Sequence, residues 1–105
     1  MAQLDEMLSY LKDNDGSDLH LAAGLVPRVR AKGKIREIEG REVLTDARLR
    51  ELLQEIASPK HWQEYTEAQD VDFAYGLQGV ARYRANYFVQ QNGAGAVFRI
   101  IPEEI

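Results

Sequence analysis

The sequence contains no cysteine and has only three prolines, two histidines and one tryptophan in 105 residues. The lack of cysteine excludes disulfide bonds and thiolate metal sites, and it fits a reducing cytosol. No apolar run approaches the roughly 20 residues that a membrane-spanning helix needs. The amino terminus is acidic and amphipathic, which is not typical of a secretory signal. We therefore expect neither a disulfide-stabilised nor a membrane-spanning protein.

Signatures of common catalytic sites are also missing. There is no Gly-rich phosphate loop followed by Lys and Ser or Thr, and no serine lies in a strand-to-helix elbow. His20 and His61 have no partner at metal-ligand spacing, so we interpret them as residues of a strand face and a helix surface. Asp70 and Asp72 could form an acid–base pair or could simply be solvated. The sequence predicts no complete catalytic site, no metal site and no enzyme activity of this chain alone.

The charge is negative overall but unevenly distributed. The chain has a formal net charge of -4 and a pI near 5.1, whereas nucleic-acid-binding domains are usually basic, so we expect no nucleic-acid partner. Acidic residues concentrate in residues 5–18 and 64–72 and at Glu103 and Glu104. Basic residues concentrate in residues 28–36 and at Arg82, Arg84 and Arg99. This distribution is compatible with a local anion site on an acidic protein.

Hydrophobic periodicity predicts an α+β domain with a mostly antiparallel sheet of about six strands and helices packed against it. The predicted helices cover residues 3–13, 46–57 and a segment that starts at Ser58 and Pro59. The predicted strands cover residues 17–21, 26–31, 35–38, 70–75, 81–89 and 96–101. Thr45 and Ser58 are predicted helix N-caps, and turns are predicted at residues 32–34, 76–79 and 92–93.

Arginines on neighbouring strands are the sharpest functional signal. Arg82 and Arg84 lie two residues apart on a strand and so share a face, Arg99 lies on the next strand, and Arg28 and Arg30 repeat the pattern earlier. Guanidinium groups are permanently charged and match phosphate oxygens with a planar fork. The arginines could bind a polyanion or a nucleotide phosphate. They could equally pair with aspartates at positions 18, 70 and 72, and the pattern leaves both interpretations open.

Taken in order, several segments resemble the PilT-type family of type IV pilus retraction ATPases, the motors of twitching motility. Residues 16–21 (GSDLHL) are similar to a signature near the start of these proteins, and residues 29–35 (VRAKGKI) to their R-x-x-G-x-L hairpin. Residues 70–75 (DVDFAY), 82–88 (RYRANYF) and 96–102 (AVFRIIP) resemble the family segments ELDFSF, RFRVNVF and AAVFRxIP. The resemblance covers nearly the whole chain, and the ordered set is specific.

The resemblance implies that residues 1–105 form a single amino-terminal PAS-like domain and that a RecA-like ATPase domain, absent from this sequence, follows it. Family members bind ATP with Mg²⁺ between the two domains, and two arginines of the amino-terminal domain reach the phosphates. The matching positions are Arg84 and Arg99, which are candidate arginine fingers, with Arg82 as a third candidate. No cofactor is expected for this chain alone.

The same resemblance implies a cytoplasmic protein, peripheral at the inner membrane, that works in a hexamer. Its implied partners are the RecA-like domain of the same and of neighbouring subunits and the inner-membrane pilus platform protein. The sequence stops soon after Pro102, where we expect a domain boundary. The short amino terminus disfavours the pilus-extension and type II secretion ATPases but does not separate the PilT type from the PilU type.

The chain departs from the family pattern in two segments, and one alternative function is compatible with the sequence. Residues 90–92 (QQN) lack an arginine that often follows this strand in the family, and residues 25–27 (LVP) replace a commoner x-Pro-Pro. The alternative function is a stand-alone PAS-like sensor of a small ligand. It predicts an apolar pocket lined by Phe73, Tyr83 and Phe98.

Overall fold

The computed structural model describes residues 2–102, so the acidic pair Glu103 and Glu104 lies outside the described residues. The elements in chain order are α1 (Asp5–Asp13), β1 (Gly16–Ala22), β2 (Arg28–Ala31), β3 (Lys34–Glu37), α2 (Asp46–Ile56), α3 (Pro59–Ala68), β4 (Asp70–Leu77), β5 (Ala81–Gln90) and β6 (Gly93–Ile101). The strands form one antiparallel sheet in the order β3-β2-β1-β6-β5-β4. The predicted α+β class and antiparallel sheet are confirmed.

Two helices start where their capping residues predict. The Thr45 hydroxyl accepts a hydrogen bond from the Arg48 backbone N–H at 3.1 Å, and the Ser58 hydroxyl accepts one from the His61 N–H at 3.2 Å. Each bond satisfies an N–H that the first helical turn leaves without an intrahelical partner. Pro59 occupies the first turn of α3, where its missing N–H costs nothing.

The strand boundaries of the last hairpins differ from the prediction. The sequence predicts a turn at residues 76–79, but β4 continues through Leu77 because Gly76 pairs with Arg82 and Leu77 with Ala81. In the same way β6 begins at Gly93, directly after the turn, because pairing with β5 extends to the end of the hairpin. Glycine in a sequence often indicates a turn, but pairing with an antiparallel strand can keep a glycine within a strand.

The three helices cover one face of the sheet, and alternate residues of the strands point into the core between them. This helix-facing set is fully or nearly fully buried: Leu19, Leu21, Val29, Val71, Tyr83, Ala85, Tyr87, Ala94, Ala96 and Phe98. None of the helices between residues 2 and 102 is both long and apolar enough to cross a membrane.

Buried tyrosines connect all three helices to β5. The Tyr83 hydroxyl donates to the Leu8 carbonyl in α1 at 2.7 Å, and the Tyr87 hydroxyl donates to the Leu53 carbonyl in α2 at 2.9 Å. From α3, the Tyr65 hydroxyl donates to the carbonyl of Phe88 at 2.8 Å. Burial raises the pKa of Tyr83 to about 12, as expected for a hydroxyl kept neutral in an apolar core.

The apolar pocket expected for a small-ligand sensor is replaced by packed core. Tyr83 and Phe98 are 0% exposed, so their rings fill the space between the sheet and the helices. Phe73 lies between two aromatic neighbours, with His61 stacked on it at 4.8 Å and Tyr87 edge-on at 5.1 Å. His61 also lies within 2.9 Å of the Ser58 hydroxyl through Nδ1, which places it at the helix surface, as expected.

Replacing Tyr87 tests the connection between α2 and the sheet. Tyr87→Phe removes a buried hydrogen bond to the Leu53 carbonyl, which keeps only its donor from the Ala57 N–H, so we expect the free energy of unfolding to fall by about 1 kcal/mol. Urea denaturation followed by circular dichroism measures this change. The matched control is Tyr10→Phe at a 37% exposed position, which should change stability by less than about 0.5 kcal/mol. Equal effects of the two substitutions would contradict the anchoring role.

Candidate anion-binding site on the open sheet face

The face of the sheet turned away from the helices is called here the open face. Along β1, β2, β4, β5 and β6 it consists of the residues that alternate with the core set. It carries five arginines and three aspartates, although the chain as a whole has a net charge of -4. Its charged residues are Asp18, Arg28, Arg30, Asp70, Asp72, Arg82, Arg84 and Arg99, and it also carries His20 and Asn86.

Two of the predicted site residues lie directly opposite each other. Arg84 of β5 pairs with Arg99 of β6, and Arg99 pairs on its other side with Asp18 of β1. Two like charges in direct cross-strand positions repel unless counter-charges lie close by. Asp18 supplies one counter-charge beside Arg99, and Asp72 of β4 supplies the other beside Arg84. The sheet thus places two adjacent arginines between two aspartates.

The ion pair between Arg99 and Asp18 is short and anchored. The Arg99 Nε–H donates to Asp18 Oδ1 at 2.7 Å, and the Ser17 hydroxyl donates to Asp18 Oδ2 at 2.8 Å. The Asp18 residue is 6% exposed. Burial by itself raises the pKa of Asp18, but the hydrogen bonds from Arg99 and Ser17 and the Arg99 charge outweigh it and hold the pKa below its usual range. Asp18 is therefore a stably ionised carboxylate.

The ion pair between Arg84 and Asp72 is much looser. The Arg84 Nε and Asp72 Oδ1 are 3.5 Å apart, and the two side chains are 70% and 54% exposed. A contact of this length between solvated groups contributes little stability. Arg99 is also mostly exposed, at 68%. Both arginines therefore bind their aspartates through Nε while most of each guanidinium group stays in contact with solvent.

The structure places Arg84 directly opposite Arg99, whereas Arg82, on the same face of β5, lies opposite Ile101. Arg84 and Arg99 line a depression of about 440 Å³ on the open face. The other residues that line it are His20, Asp72, Asn86 and Val97. Arg82 lies one step further along β5, in a different depression formed by the β4–β5 turn, Ile101 and Pro102. Arg84 and Arg99 are therefore the two predicted site residues that share one depression, and Arg82 lines a neighbouring one.

His20 is the site residue that sequence reasoning missed, since it was interpreted only as a strand-face histidine. It lies on the expected face, but it also lines the depression, two residues from Asp18 on the same strand. Burial lowers its pKa, Asp18 opposes this, and the charges of Arg28, Arg30 and Arg99 lower it further. Its Nε2 is buried and has no hydrogen-bond partner among residues 2–102. Only the pairing of β1 with β6 brings His20 to the arginines.

Asp70 and Asp72 share the open face, as expected, but each has its own partner on β5. Asp70 Oδ1 accepts a hydrogen bond from the Asn86 side chain at 3.2 Å, and Asp72 pairs with Arg84. These contacts favour the interpretation that Asp70 and Asp72 each bind a neighbouring side chain of β5, and they disfavour an acid–base pair. Residues 2–102 contain no group of three His, Asp or Glu side chains that could hold a metal ion.

Known proteins resemble this chain in both sequence and fold. No protein-family model matches the sequence. The type IV pilus retraction ATPase PilT of Pseudomonas aeruginosa is 38% identical over 102 residues, which cover 97% of this chain and 29% of PilT. The type IV pilus ATPase PilU of the same organism is 25% identical over 103 residues, which cover 98% of this chain and 27% of PilU. The chain thus spans less than a third of the length of these curated relatives.

A solved structure also matches this chain in both fold and sequence. A crystal structure of the pilus retraction motor PilT with bound ADP matches with a TM-score of 0.88 and 34% identity, covering 100% of this chain and 30% of that one. Fold and sequence together define the chain as a domain of the type IV pilus motor ATPase class. More specifically, the chain corresponds to the amino-terminal domain of the PilT-type pilus retraction ATPases.

The depressed pKa of His20 predicts acid sensitivity. The unfolded chain takes up the His20 proton near pH 6.5, whereas the folded chain takes it up only at lower pH. Between these two pKa values the unfolded state binds more protons, so the free energy of unfolding falls as the pH is lowered. Urea midpoints measured from about pH 7 to about pH 5.5 should decrease, and they should decrease less in His20→Gln. Parallel pH profiles of the two proteins would contradict this origin.

Proposed function

We propose that this chain is the amino-terminal domain of a hexameric ATP-driven pilus retraction motor and contributes positive charge to a nucleotide bound mainly by a following RecA-like domain. The observation that carries the proposal is the direct pairing of Arg84 with Arg99, with both guanidinium groups largely solvent-exposed on an uncovered sheet face. The PilT relative with bound ADP supports a nucleotide as the anion.

The chemistry of the two arginines fits phosphate oxygens. Each guanidinium group uses Nε for its aspartate, which leaves the Nη side of the planar fork for an acceptor. In phosphoryl transfer, negative charge spreads over the oxygens of the transferred group, and fixed arginines stabilise that charge. Arg84 and Arg99 are the proposed arginine fingers, while Arg82, in its separate depression, has the weaker case.

The remaining parts of an ATPase site must come from the RecA-like domain. The sequence contains no phosphate-binding loop, and residues 2–102 offer no set of oxygen ligands for Mg²⁺. We therefore propose that ATP and Mg²⁺ bind at an interface with that domain, in the same or a neighbouring subunit, and that this contact also contributes to ring assembly. The corresponding location is the cytoplasmic side of the inner membrane, next to the pilus platform protein.

Removing either arginine tests the phosphate role. In a full-length protein that carries the proposed ATPase domain, Arg84→Ala and Arg99→Ala should each lower kcat on the order of 10³-fold, the effect expected for an arginine finger. Steady-state ATPase assays measure the change. Arg36→Ala is the matched control, because Arg36 lies on the outermost strand β3 and pairs with Val29, outside the site. Full activity of both site variants would reject the proposal.

The 105-residue chain alone should bind ATP weakly, since two arginines without a phosphate loop leave most phosphate contacts unmade. Isothermal titration calorimetry tests this, and tight binding would show that the chain forms a complete nucleotide site without a second domain. The gene provides an independent test. A Walker A motif shortly downstream of the codon for Ile105 would support the proposed parent protein, and a stop codon there would contradict it.

A further inference from the structure

The two arginines of the site are held in different ways, and the difference has a functional consequence. We propose that Asp18 is a positioning residue that fixes the guanidinium group of Arg99 for phosphate binding, whereas Asp72 is a displaceable counter-ion that leaves Arg84 mobile. This inference rests on the proposed phosphate role of Arg84 and Arg99. It assigns different roles to two aspartates that look equivalent in the sequence.

Asp18 has the features of a rigid support. A β-bulge between Gly16 and Asp18 displaces Ser17 from regular pairing, and the Ser17 hydroxyl then binds Asp18 Oδ2. The other carboxylate oxygen, Oδ1, accepts the Nε–H of Arg99 at 2.7 Å. Bulges commonly re-aim a side chain in this way. Both oxygens of a buried carboxylate are thus engaged, which fixes the position of the acceptor.

A fixed acceptor at Nε also fixes the rest of the guanidinium group. The group is planar, so a short bond at Nε–H limits rotation and sets the directions of the Nη–H bonds. Arginine otherwise loses considerable side-chain entropy when it binds an anion. Because Asp18 already orders Arg99 in the folded chain, part of this entropy is lost during folding. Arg99 therefore binds phosphate from an ordered conformation. This pre-organisation favours binding without adding a contact.

Asp72 lacks each of these features. Its cross-strand partner is Asn86, so it reaches Arg84 only diagonally, at 3.5 Å. It is 54% exposed, and water and salt screen its attraction to Arg84. A phosphate group carries more charge than one carboxylate and can displace Asp72 from Arg84. Asp72 therefore competes with the anion and does not orient the arginine.

The negative charge of the two aspartates and the positioning role of Asp18 predict different effects on anion binding. Each aspartate adds one negative charge next to the site, so charge alone predicts that removing either one strengthens anion binding. If Asp18 positions Arg99, its removal must instead weaken binding, because the ordered guanidinium group is lost. Asp18→Ala and Asp72→Ala are therefore a matched pair with opposite expected signs.

Nuclear magnetic resonance of the 105-residue chain can test both parts. Relaxation of the arginine Nε–Hε groups reports side-chain order, and titration with inorganic tripolyphosphate reports affinity through shifts of the same signals. In the unsubstituted chain, Arg99 Nε should be ordered and Arg84 Nε mobile. Asp18→Ala should make Arg99 as mobile as Arg84 and weaken tripolyphosphate binding roughly threefold or more. Asp72→Ala should leave Arg99 ordered and strengthen binding by roughly threefold.

Asp18→Asn is the conservative variant, because it keeps an oxygen acceptor opposite Arg99 but removes the charge. It should restore part of the Arg99 order that Asp18→Ala loses, which a purely structural role of Asp18 does not predict. If Asp18→Ala does not fold, as judged by its amide spectrum, Asp18→Asn is compared with Asp72→Asn. The positioning role then requires that only Asp18→Asn lowers the order of Arg99.

The outcomes separate this inference from the proposed function. Equal mobility of Arg84 and Arg99 in the unsubstituted chain, or stronger anion binding by Asp18→Ala and Asp72→Ala alike, would overturn the positioning role. Absence of any tripolyphosphate shift at both arginines, even in Asp72→Ala, would count against the phosphate role. In that case the relaxation data would still decide whether Asp18 orders Arg99.

Discussion

The site depends on the alternation of residues along β5. Tyr83 and Tyr87 point into the core and bind backbone carbonyls of two helices, while Arg84 and Asn86 point to the open face. A shift of one residue in the pairing of β5 would bury arginine and expose tyrosine, and both exchanges are strongly unfavourable. The tyrosine anchors therefore set the register that presents Arg84 opposite Arg99. Core packing and the position of the arginine pair follow from the same constraint.

The second constraint is electrostatic. The sheet places an aspartate on each side of the two adjacent arginines that this acidic chain displays. Asp18 and Asp72 offset the repulsion within the arginine pair, yet both arginines keep most of their guanidinium surface in solvent. Neutral His20 adds no further positive charge near pH 7, because burial and the surrounding arginines depress its pKa. The result is a local cluster of exposed positive charge on a protein whose net charge is negative.

A single contact connects residues that are far apart in the chain. Asp18 and Arg99 are separated by 81 positions and meet because β1 pairs with β6 in the middle of the sheet. The first and last strands are thus both required for the contact between Asp18 and Arg99. The same arrangement leaves the open face, which carries Arg84 and Arg99, uncovered by the helices of the described residues.

The sequence by itself determined the α+β class, the order of the elements, the helix caps at Thr45 and Ser58, and the shared face of Arg82 and Arg84, because these follow from local periodicity and capping chemistry. Its ordered motifs also pointed to the family that the comparisons confirmed. Only the tertiary structure decided which arginines belong together. Register between strands distant in sequence placed Arg99 between Arg84 and Asp18, put Ile101 opposite Arg82 and brought His20 to the same depression. Such pairings are set by the packing of the whole sheet, so no local pattern encodes them.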